Sequence, residues 1–248
     1  MIEFIKMQGC GNNYIYIDCI KNNYDNYDFK KISKEISDIN YGIGSDGLIL
    51  ICKSEVADAK MIMYNKDGSE GNMCGNGIRC VAKYIYDKYK KNKKIYIETR
   101  SGIKETIINS NEIIVNMGYP LLKPENIPVN LEGDMIINKK ISLGGKEIHI
   151  NCVSMGNPHA ITIVENTKEF DVEKYGKVLE IDKAFPKKAN IEFAQIIDRQ
   201  NINMRVGKRG RRNISMWNRS MCYSGCLQFK WSNRQKSEYR IIRWNIEY

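Results

Sequence analysis

Residues 65–80, NKDGSEGNMCGNGIRC, decide the fold and the chemistry expected of this chain. The first half of the stretch is rich in Asn, Asp, Gly and Ser, residues that favour turns. From Gly77 onward, apolar residues recur at the three- and four-residue spacing of a helix, at Ile78, Val81, Ala82, Ile85 and Tyr89. This change of pattern predicts a helix that begins just after Cys74, with Gly75-Asn76-Gly77 as its first turn.

A cysteine at that position has a particular electrostatic setting. The N–H groups of a helix's first turn have no partner inside the helix and attract anions. The helix dipole also favours a thiolate over a thiol. A substrate carboxylate bound to those amides would bring its α-carbon beside the sulfur. Cys74 is therefore a candidate catalytic residue; the alternative, which applies to most cysteines, is a small residue buried at a helix cap.

Outward from this stretch, both halves of the chain repeat one plan of strands, a Gly- or Asn-rich loop and a helix. Strand patterns cover residues 2–18, helical spacing covers 24–38, and a strand meander follows residue 94. The second half has strands around the loop GNPHA, a helix near 168–180 and the strand NIEFAQIID. PLLKPENIPVN is the predicted linker near residue 120. The sequence thus predicts an α+β protein of two similar lobes, 1–118 and 119–248.

Five motifs carry a resemblance to a known family. KMQGCGNNY, GIGSDGL, NKDGSEGNMCGNGIRC, SMGNPHA and NIEF occur in this order, with matching spacing across residues 1–206, and the chain resembles the diaminopimelate epimerases. The resemblance implies two lobes, each a curved, mostly antiparallel sheet wrapped around a central helix, with the active site in the cleft between them. It implies interconversion of LL- and meso-2,6-diaminopimelate, for lysine and peptidoglycan synthesis, without pyridoxal phosphate, metal or any other cofactor.

The family's reaction needs a base on one face of the α-carbon and an acid on the other, roles taken by two cysteines. By resemblance Cys74 is the first of these, and Gly75 and Asn76 bind the carboxylate. Four asparagines match amides that hold the amino and carboxylate groups of the substrate: Asn12, Asn65, Asn157 and Asn190. Taken alone, each would be interpreted as a turn former. His159 matches a histidine that lines the site, with a loop-stabilising role as the alternative.

The remaining thiols and imidazole carry no assignment. Cys80 lies between apolar helix positions and is predicted to pack in the core. His149 lies in a strand pattern and matches no motif, so we predict a structural role. Gly47 occupies a position where some family members contact substrate by a side chain, and nothing is assigned to it. No CxxC occurs and only two histidines are present, so a zinc site is not expected.

The formal net charge of +10 comes mostly from the end of the chain, because residues 207–248 hold ten Lys and Arg against two Asp and Glu. After Val206 the family has segments similar to WERGAGE and ACGTG, with a Glu-Arg pair and the second cysteine. This chain reads VGKRGRRNISMWNRSMCYSGC, with Trp217 where that cysteine falls by spacing. A back-translation of 206–226, read from the second base, gives WERGAGEISACGTGACATAV. We infer a net frame change near residues 204–207.

On that inference Cys222 and Cys226 are out-of-frame products, and Arg209 matches the family's arginine by coincidence. The chain as printed keeps one catalytic thiol and lacks the opposing one, so we expect it to bind substrate poorly and to epimerise little. Exposed sheet edges in the second lobe are expected to favour aggregation. Sequencing the DNA across those codons is the direct test, and an intact frame with unrelated codons would exclude the frame change.

Three other interpretations stay open. Proline and hydroxyproline racemases share paired thiols and two lobes, and a non-catalytic pseudoenzyme would keep only the carboxylate pocket. A nucleic-acid-binding module would rest on the basic tail and its tryptophans at 217, 231 and 244; because the charge is confined to the suspect segment, we expect no nucleic acid.

The composition, 42% hydrophobic and 27% charged, without a long apolar run or a signal-like N-terminus, predicts a cytoplasmic protein with no membrane contact. Family members are often dimers, so a homodimer is possible.

Overall fold

The computed structural model of the chain describes residues 2–9, 11–109, 112–143, 145–198 and 202–207. These residues form two compact units: the first extends to Met117 and the second begins at Gly118. No helix in these ranges is long and apolar enough to cross a membrane.

The first unit is an eight-stranded sheet with two helices. The strands pair in the order β1-β2-β3-β4-β6-β7-β8, and β5 pairs with β4. β2 lies parallel to β3 and β4 parallel to β6, while the other neighbours are antiparallel. The elements are β1 (Ile5–Gly9), β2 (Asn12–Asp18), α1 (Phe29–Ser37), β3 (Gly47–Cys52), β4 (Ala59–Asn65), β5 (Glu70–Gly71), α2 (Gly75–Lys88), β6 (Lys94–Thr99), β7 (Gly102–Ile108) and β8 (Ile113–Val115).

Helix α2 is the centre of this unit. It contacts both edge strands of the sheet, β1 and β8, as well as strands between them. One straight helix can reach both edges only if the sheet curls around it, so the sheet is a half-barrel. Helix α1 packs on the outer face of β3 and β4. Alternation along a strand therefore sends Ile15, Ile17, Leu48 and Leu50 toward α1 and leaves Tyr16 and Ile49 facing α2.

The second unit repeats the plan with one sheet and one α-helix. Its strands pair in the order β13-β12-β11-β10-β9, with β11 and β12 parallel and the other neighbours antiparallel. Helix α3 contacts β9 and β13, the two edges, so this sheet also curls around its helix. The elements are a 3-10 turn at Pro124–Asn126, β9 (Lys139–Leu143), β10 (Lys146–Ser154), β11 (Pro158–Ile163), α3 (Val172–Glu180), β12 (Asn190–Ile196) and β13 (Ile202–Val206).

The predicted α+β class, with a mostly antiparallel curved sheet around a helix in each half, is confirmed. The prediction of a linker over PLLKPENIPVN is wrong for most of that segment. Leu121 bridges to Ser154, and Ile127 and Val129 are buried in the core of the second unit. Those two apolar side chains would be exposed to water in a free linker, so burying them fixes the segment.

Candidate active site

Helix α2 begins where the sequence predicted, and Cys74 is its N-cap residue. The Cys74 backbone is extended, with φ −130° and ψ 115°, and its sulfur accepts a hydrogen bond from the Gly77 N–H. The N···S distance is 3.4 Å. The thiol is half-buried and is not part of a disulfide. Cys74 therefore occupies the position at which the unpaired N–H groups of the helix point toward an anion.

Tyr14 on β2 is a second donor to the same sulfur. Its phenol forms a hydrogen bond with Cys74, and burial, followed by the charge on Cys74, raises the pKa of Tyr14 far above its usual range. The phenol therefore stays protonated, so its O–H donates and the sulfur accepts. The Cys74 sulfur therefore lies between the Gly77 N–H and the Tyr14 phenol. The sequence patterns did not identify Tyr14.

Asn76 joins the helix start to the sheet. Its Nδ2 donates to Asn12 Oδ1 at 2.7 Å, and its Oδ1 accepts from the Arg79 guanidinium at 2.6 Å. Both Asn76 and Arg79 are buried, with 6% and 2% of their surfaces exposed. These contacts fix the first turn of α2 against the start of β2, and they hold a cation close to the expected carboxylate position.

Asp46 holds the other side of Asn12. Its carboxylate accepts from Asn12 Nδ2 at 3.3 Å and from the Asn13 N–H at 2.9 Å. The Asp46 N–H donates in return to the Asn13 carbonyl at 2.7 Å. Asn12 is thus held by its side-chain oxygen and its side-chain nitrogen at once, which fixes its orientation.

Two glycines allow the helix start to approach the sheet closely. A Cβ on Gly77 would lie 2.6 Å from Ile49 Cδ1, and one on Gly9 would lie 3.0 Å from the Asn76 carbonyl oxygen. At Gly9 the neighbour is backbone, which a side chain would displace by a few tenths of an ångström, whereas at Gly77 the end of the Ile49 side chain would have to move. The glycines around Cys74 therefore favour close packing as well as access to ligand.

Asn65 lies at the end of β4, opposite Gly47 on β3. Its Nδ2 donates to Ser69 Oγ at 3.0 Å and its backbone N–H donates to the Ser69 carbonyl at 2.8 Å. These are turn contacts, which correspond to the alternative interpretation of this residue. Gly47, across the ladder, packs against the ring of Tyr14.

In the second unit, Asn157, His159 and Asn190 gather at one end of the parallel pair β11–β12. His159 and Asn190 are direct register partners, and Asn190 Nδ2 donates to the Pro158 carbonyl at 3.1 Å. Asn157 lies in the loop just before β11 and is half-buried. The three motif residues of this half therefore share one location.

His159 forms a buried pair with Glu192. The His159 Nδ1 to Glu192 Oε1 distance is 2.9 Å, and the two side chains are 2% and 0% exposed. Among the described residues, His159 Nε2 has no hydrogen-bond partner although it is buried. A buried ring nitrogen without a partner is uncommon, so Nε2 is the ring atom available to a ligand.

Several contributing residues were not assigned from the sequence. Tyr14 and Asp46 lie inside quoted motifs, where only the motifs' Asn, Gly and Cys were interpreted. Arg79 and Glu192 fall outside the apolar spacing of helix α2 and strand β12, so the sequence patterns contain no signal that they are buried. Cys80 is buried as predicted, and His149 is exposed on β10.

The residues of the suspected frame change, including Arg209, Trp217, Cys222 and Cys226, lie outside the described ranges. Within those ranges no cluster of three or more His, Cys, Asp or Glu side chains could hold a metal ion. A cavity of about 540 Å³ in the first unit is lined by residues such as Asp18, Lys21 and Tyr84. None of the candidate residues lines this cavity, so we place the candidate active site at Cys74 instead.

Comparison with known proteins gives a consistent family. Residues 4–123 match the family model described as diaminopimelate epimerase. A diaminopimelate epimerase of Methanococcus maripaludis (strain S2) is 49% identical over 215 residues, covering 84% of this chain and 77% of the relative. That of Acetivibrio thermocellus is 46% identical with 84% and 76% coverage.

Solved structures agree on the fold. A probable proline racemase from Agrobacterium radiobacter K84 has a TM-score of 0.66 at 12% identity, covering 94% of this chain and 79% of that one. A hydroxyproline epimerase from Agrobacterium vitis has a TM-score of 0.60 at 11% identity, with 95% and 78% coverage. At such identities the likeness establishes the fold alone.

Proposed function

The chain belongs to the diaminopimelate epimerase family, whose members are isomerases that need no cofactor, and we propose on that basis that Cys74 is one of its two proton-transferring thiols. The observation that supports this most directly is the pair of donors on the Cys74 sulfur, the Gly77 N–H and the Tyr14 phenol. In its thiolate form, Cys74 is a base that can remove an α-hydrogen from one face of the substrate.

The carboxylate beside that α-carbon would bind at the start of α2. The N–H groups around Gly75 and Asn76 point outward from the helix, and the Arg79 guanidinium lies on Asn76 Oδ1. As the α-hydrogen leaves, negative charge spreads from the α-carbon into this carboxylate. Fixed N–H dipoles and a buried cation lower the energy of that charge without having to reorganise.

The amide side chains supply orientation. Asn12 is fixed between Asn76 and Asp46. Its side chain is therefore already oriented by the fold to bind the amino or carboxylate group of the substrate. Asn65, Asn157 and Asn190 are proposed to hold the remaining polar groups of diaminopimelate.

His159 is proposed to contact substrate through Nε2, with Glu192 as a positioning residue. The Glu192 carboxylate accepts from Nδ1, which leaves Nε2 to face the substrate. In the frame-restored protein, Glu192→Gln is expected to raise KM for diaminopimelate, because it weakens the contact that sets the ring orientation. An unchanged KM in a folded variant would remove Glu192 from this role.

The second thiol is proposed to be absent from the chain as printed because of a net frame change near residues 204–207. On that proposal the printed chain keeps the Cys74 base, lacks the acid on the opposite face, and neither exchanges nor epimerises the substrate. DNA sequencing across those codons, together with the intact mass of the native protein, tests it. A native mass equal to the printed chain would instead favour a non-catalytic pseudoenzyme.

Proline or hydroxyproline racemisation is the second candidate, and it rests on fold similarity alone. A substrate panel separates the two: LL-diaminopimelate, L-proline and trans-4-hydroxy-L-proline, each with the frame-restored protein. Turnover of diaminopimelate alone is expected, since the relatives at 46–49% identity carry that name. Turnover of either cyclic imino acid alone would replace the proposal.

We also propose a cytoplasmic location, no nucleic-acid partner and a possible homodimer.

A further inference from the structure

Two cysteines outside the candidate site lie side by side across a pair of parallel strands. β2 and β3 are in register at Ile15↔Leu48 and at Asp18↔Ile51. One step further, this register sets Cys19 opposite Cys52. The Cys19 N–H donates to the Ile51 carbonyl at 2.8 Å, so the ladder continues to that point.

Both sulfurs lie on the same face of the sheet. Residues two apart on a strand share a face, so Cys19 follows Ile15 and Ile17, and Cys52 follows Leu48 and Leu50. Both cysteines accordingly pack against the cluster formed by those four apolar residues. Neighbouring strands are about 4.8 Å apart, which lies inside the range of roughly 4.4–6.8 Å between the Cα atoms of bridged cysteines.

We propose that Cys19 and Cys52 form a dithiol site that hydroperoxides convert to a disulfide. Both thiols are half-buried rather than enclosed, so a small oxidant can reach them. Neither belongs to the Cys74 site, which lies at the other end of β2, beside Asn12 and Tyr14. The proposal is therefore independent of the proposed epimerase chemistry.

The surroundings of the pair indicate which sulfur reacts first. A hydrogen bond donated by Cys19 lowers the pKa of Cys52, against the effect of burial, and Lys60 adds to the lowering. The same hydrogen bond and burial raise the pKa of Cys19. Lys60 lies directly opposite Cys52 on β4, whereas the negative charges of Asp18 and Asp25 raise the pKa of both thiols. Cys52 is thus the nucleophile and Cys19 the resolving thiol.

The reaction proceeds in two balanced steps. The Cys52 thiolate attacks the terminal oxygen of the hydroperoxide, the O–O bond breaks, and the sulfur becomes a sulfenic acid. The alkoxide or hydroxide that leaves takes a proton from water. The Cys19 sulfur then attacks the Cys52 sulfur and the S–O bond breaks. Hydroxide leaves and takes up the Cys19 proton to form water. The two thiols together lose one pair of electrons, and this pair reduces the peroxide.

The test is cysteine mapping of the full chain after treatment with hydrogen peroxide, with alkylation before proteolysis. We expect the peptides that carry Cys19 and Cys52 to appear as one cross-linked species lacking two hydrogens, and dithiothreitol to restore both alkylated peptides. Cys80 and Cys152 are buried. They serve as internal controls, because they should react with the alkylating agent only after the protein is unfolded.

Matched single variants separate the two roles. In Cys19→Ser the sulfenic acid at Cys52 has no resolving partner, so a dimedone adduct should accumulate there. In Cys52→Ser, Cys19 should remain a thiol under the same conditions. The proposal is overturned if both cysteines of the folded wild-type chain stay as separate thiols while Cys74 is oxidised. A dominant cross-link from either one to a different cysteine overturns it as well. Far-ultraviolet circular dichroism before oxidation checks that each variant is folded.

Discussion

Removing the Asn76 side chain tests the construction of the helix start most quantitatively. Asn76→Ala deletes the hydrogen bond to Asn12 at 2.7 Å and the one from Arg79 at 2.6 Å. A neutral hydrogen bond contributes about 1 kcal/mol and one to a charged group about 1.5–3 kcal/mol, so the free energy of unfolding should fall by roughly 2.5–4 kcal/mol. The residue is almost fully buried, so water cannot replace these partners easily.

The assay is urea unfolding followed by circular dichroism, where that loss lowers the midpoint by roughly 1 M or more for a slope of about 2–3 kcal/mol/M. Asn92 is exposed in the segment after α2, so Asn92→Ala is the matched control and should stay within about 0.5 kcal/mol of wild type. A loss below 1 kcal/mol for Asn76→Ala would refute the claim that these contacts hold the helix start.

Asn76→Asp separates folding from substrate binding. The new carboxylate accepts from Arg79 and lies in the first turn of a helix, where negative charge is favourable. The fold should therefore lose less stability than in Asn76→Ala. The same charge repels a substrate carboxylate, so KM for diaminopimelate in the frame-restored protein should rise. An unchanged KM would contradict the proposed carboxylate site.

Three further predictions concern the surroundings of α2. Gly47→Ala should cost about 2–5 kcal/mol, because its φ is +151° and a Cβ would lie 2.1 Å from a backbone carbonyl oxygen of β4. Gly102→Ala also has a positive φ, +91°, but open space around it, so it is the control for backbone strain, and equal losses would contradict the close-contact argument. Tyr14→Phe should slow iodoacetamide labelling of the neighbouring thiol roughly tenfold, the value of one hydrogen bond to a charged group, and an unchanged rate would exclude the phenol as a donor. Burial and a hydrogen bond to Asp18 raise the pKa of Tyr84 to about 12 from 10.0, so the contribution of Tyr84 to stability is complete below pH 10 and is lost as the pH rises toward 12. Asp18→Asn should shift the ultraviolet titration of Tyr84 toward pH 10, and an unchanged titration would exclude the contact.

Local chemistry explains why the start of α2 was predictable. The turn-forming run, the glycines and the apolar spacing are all contained within residues 65–85, so the position of Cys74 follows from neighbours in sequence. The curl of each sheet was expected only through the family resemblance. It depends on contacts between α2 and strands distant in sequence, which no local pattern records.

The polar network was less accessible to prediction for a physical reason. Arg79 and Glu192 are charged residues in apolar surroundings, and they are stable there because Asn76 and His159 pair with them. Those partners come from side-chain geometry, not from spacing. The Cys19–Cys52 pair is similar, since it depends on a parallel register between strands separated by α1. The linker prediction over PLLKPENIPVN was wrong because prolines mark breaks in regular structure without excluding burial.

The central claim is that Cys74 is one member of a two-thiol pair whose second member requires the restored frame. The most direct measurement is α-hydrogen exchange on LL-diaminopimelate in deuterated water, with the printed chain, the frame-restored chain and the Cys74→Ala variant of the restored chain. We predict exchange and epimerisation by the restored chain alone. Loss of both activities from the restored chain would contradict the substrate assignment, and full activity of its Cys74→Ala variant would contradict the role of the thiol.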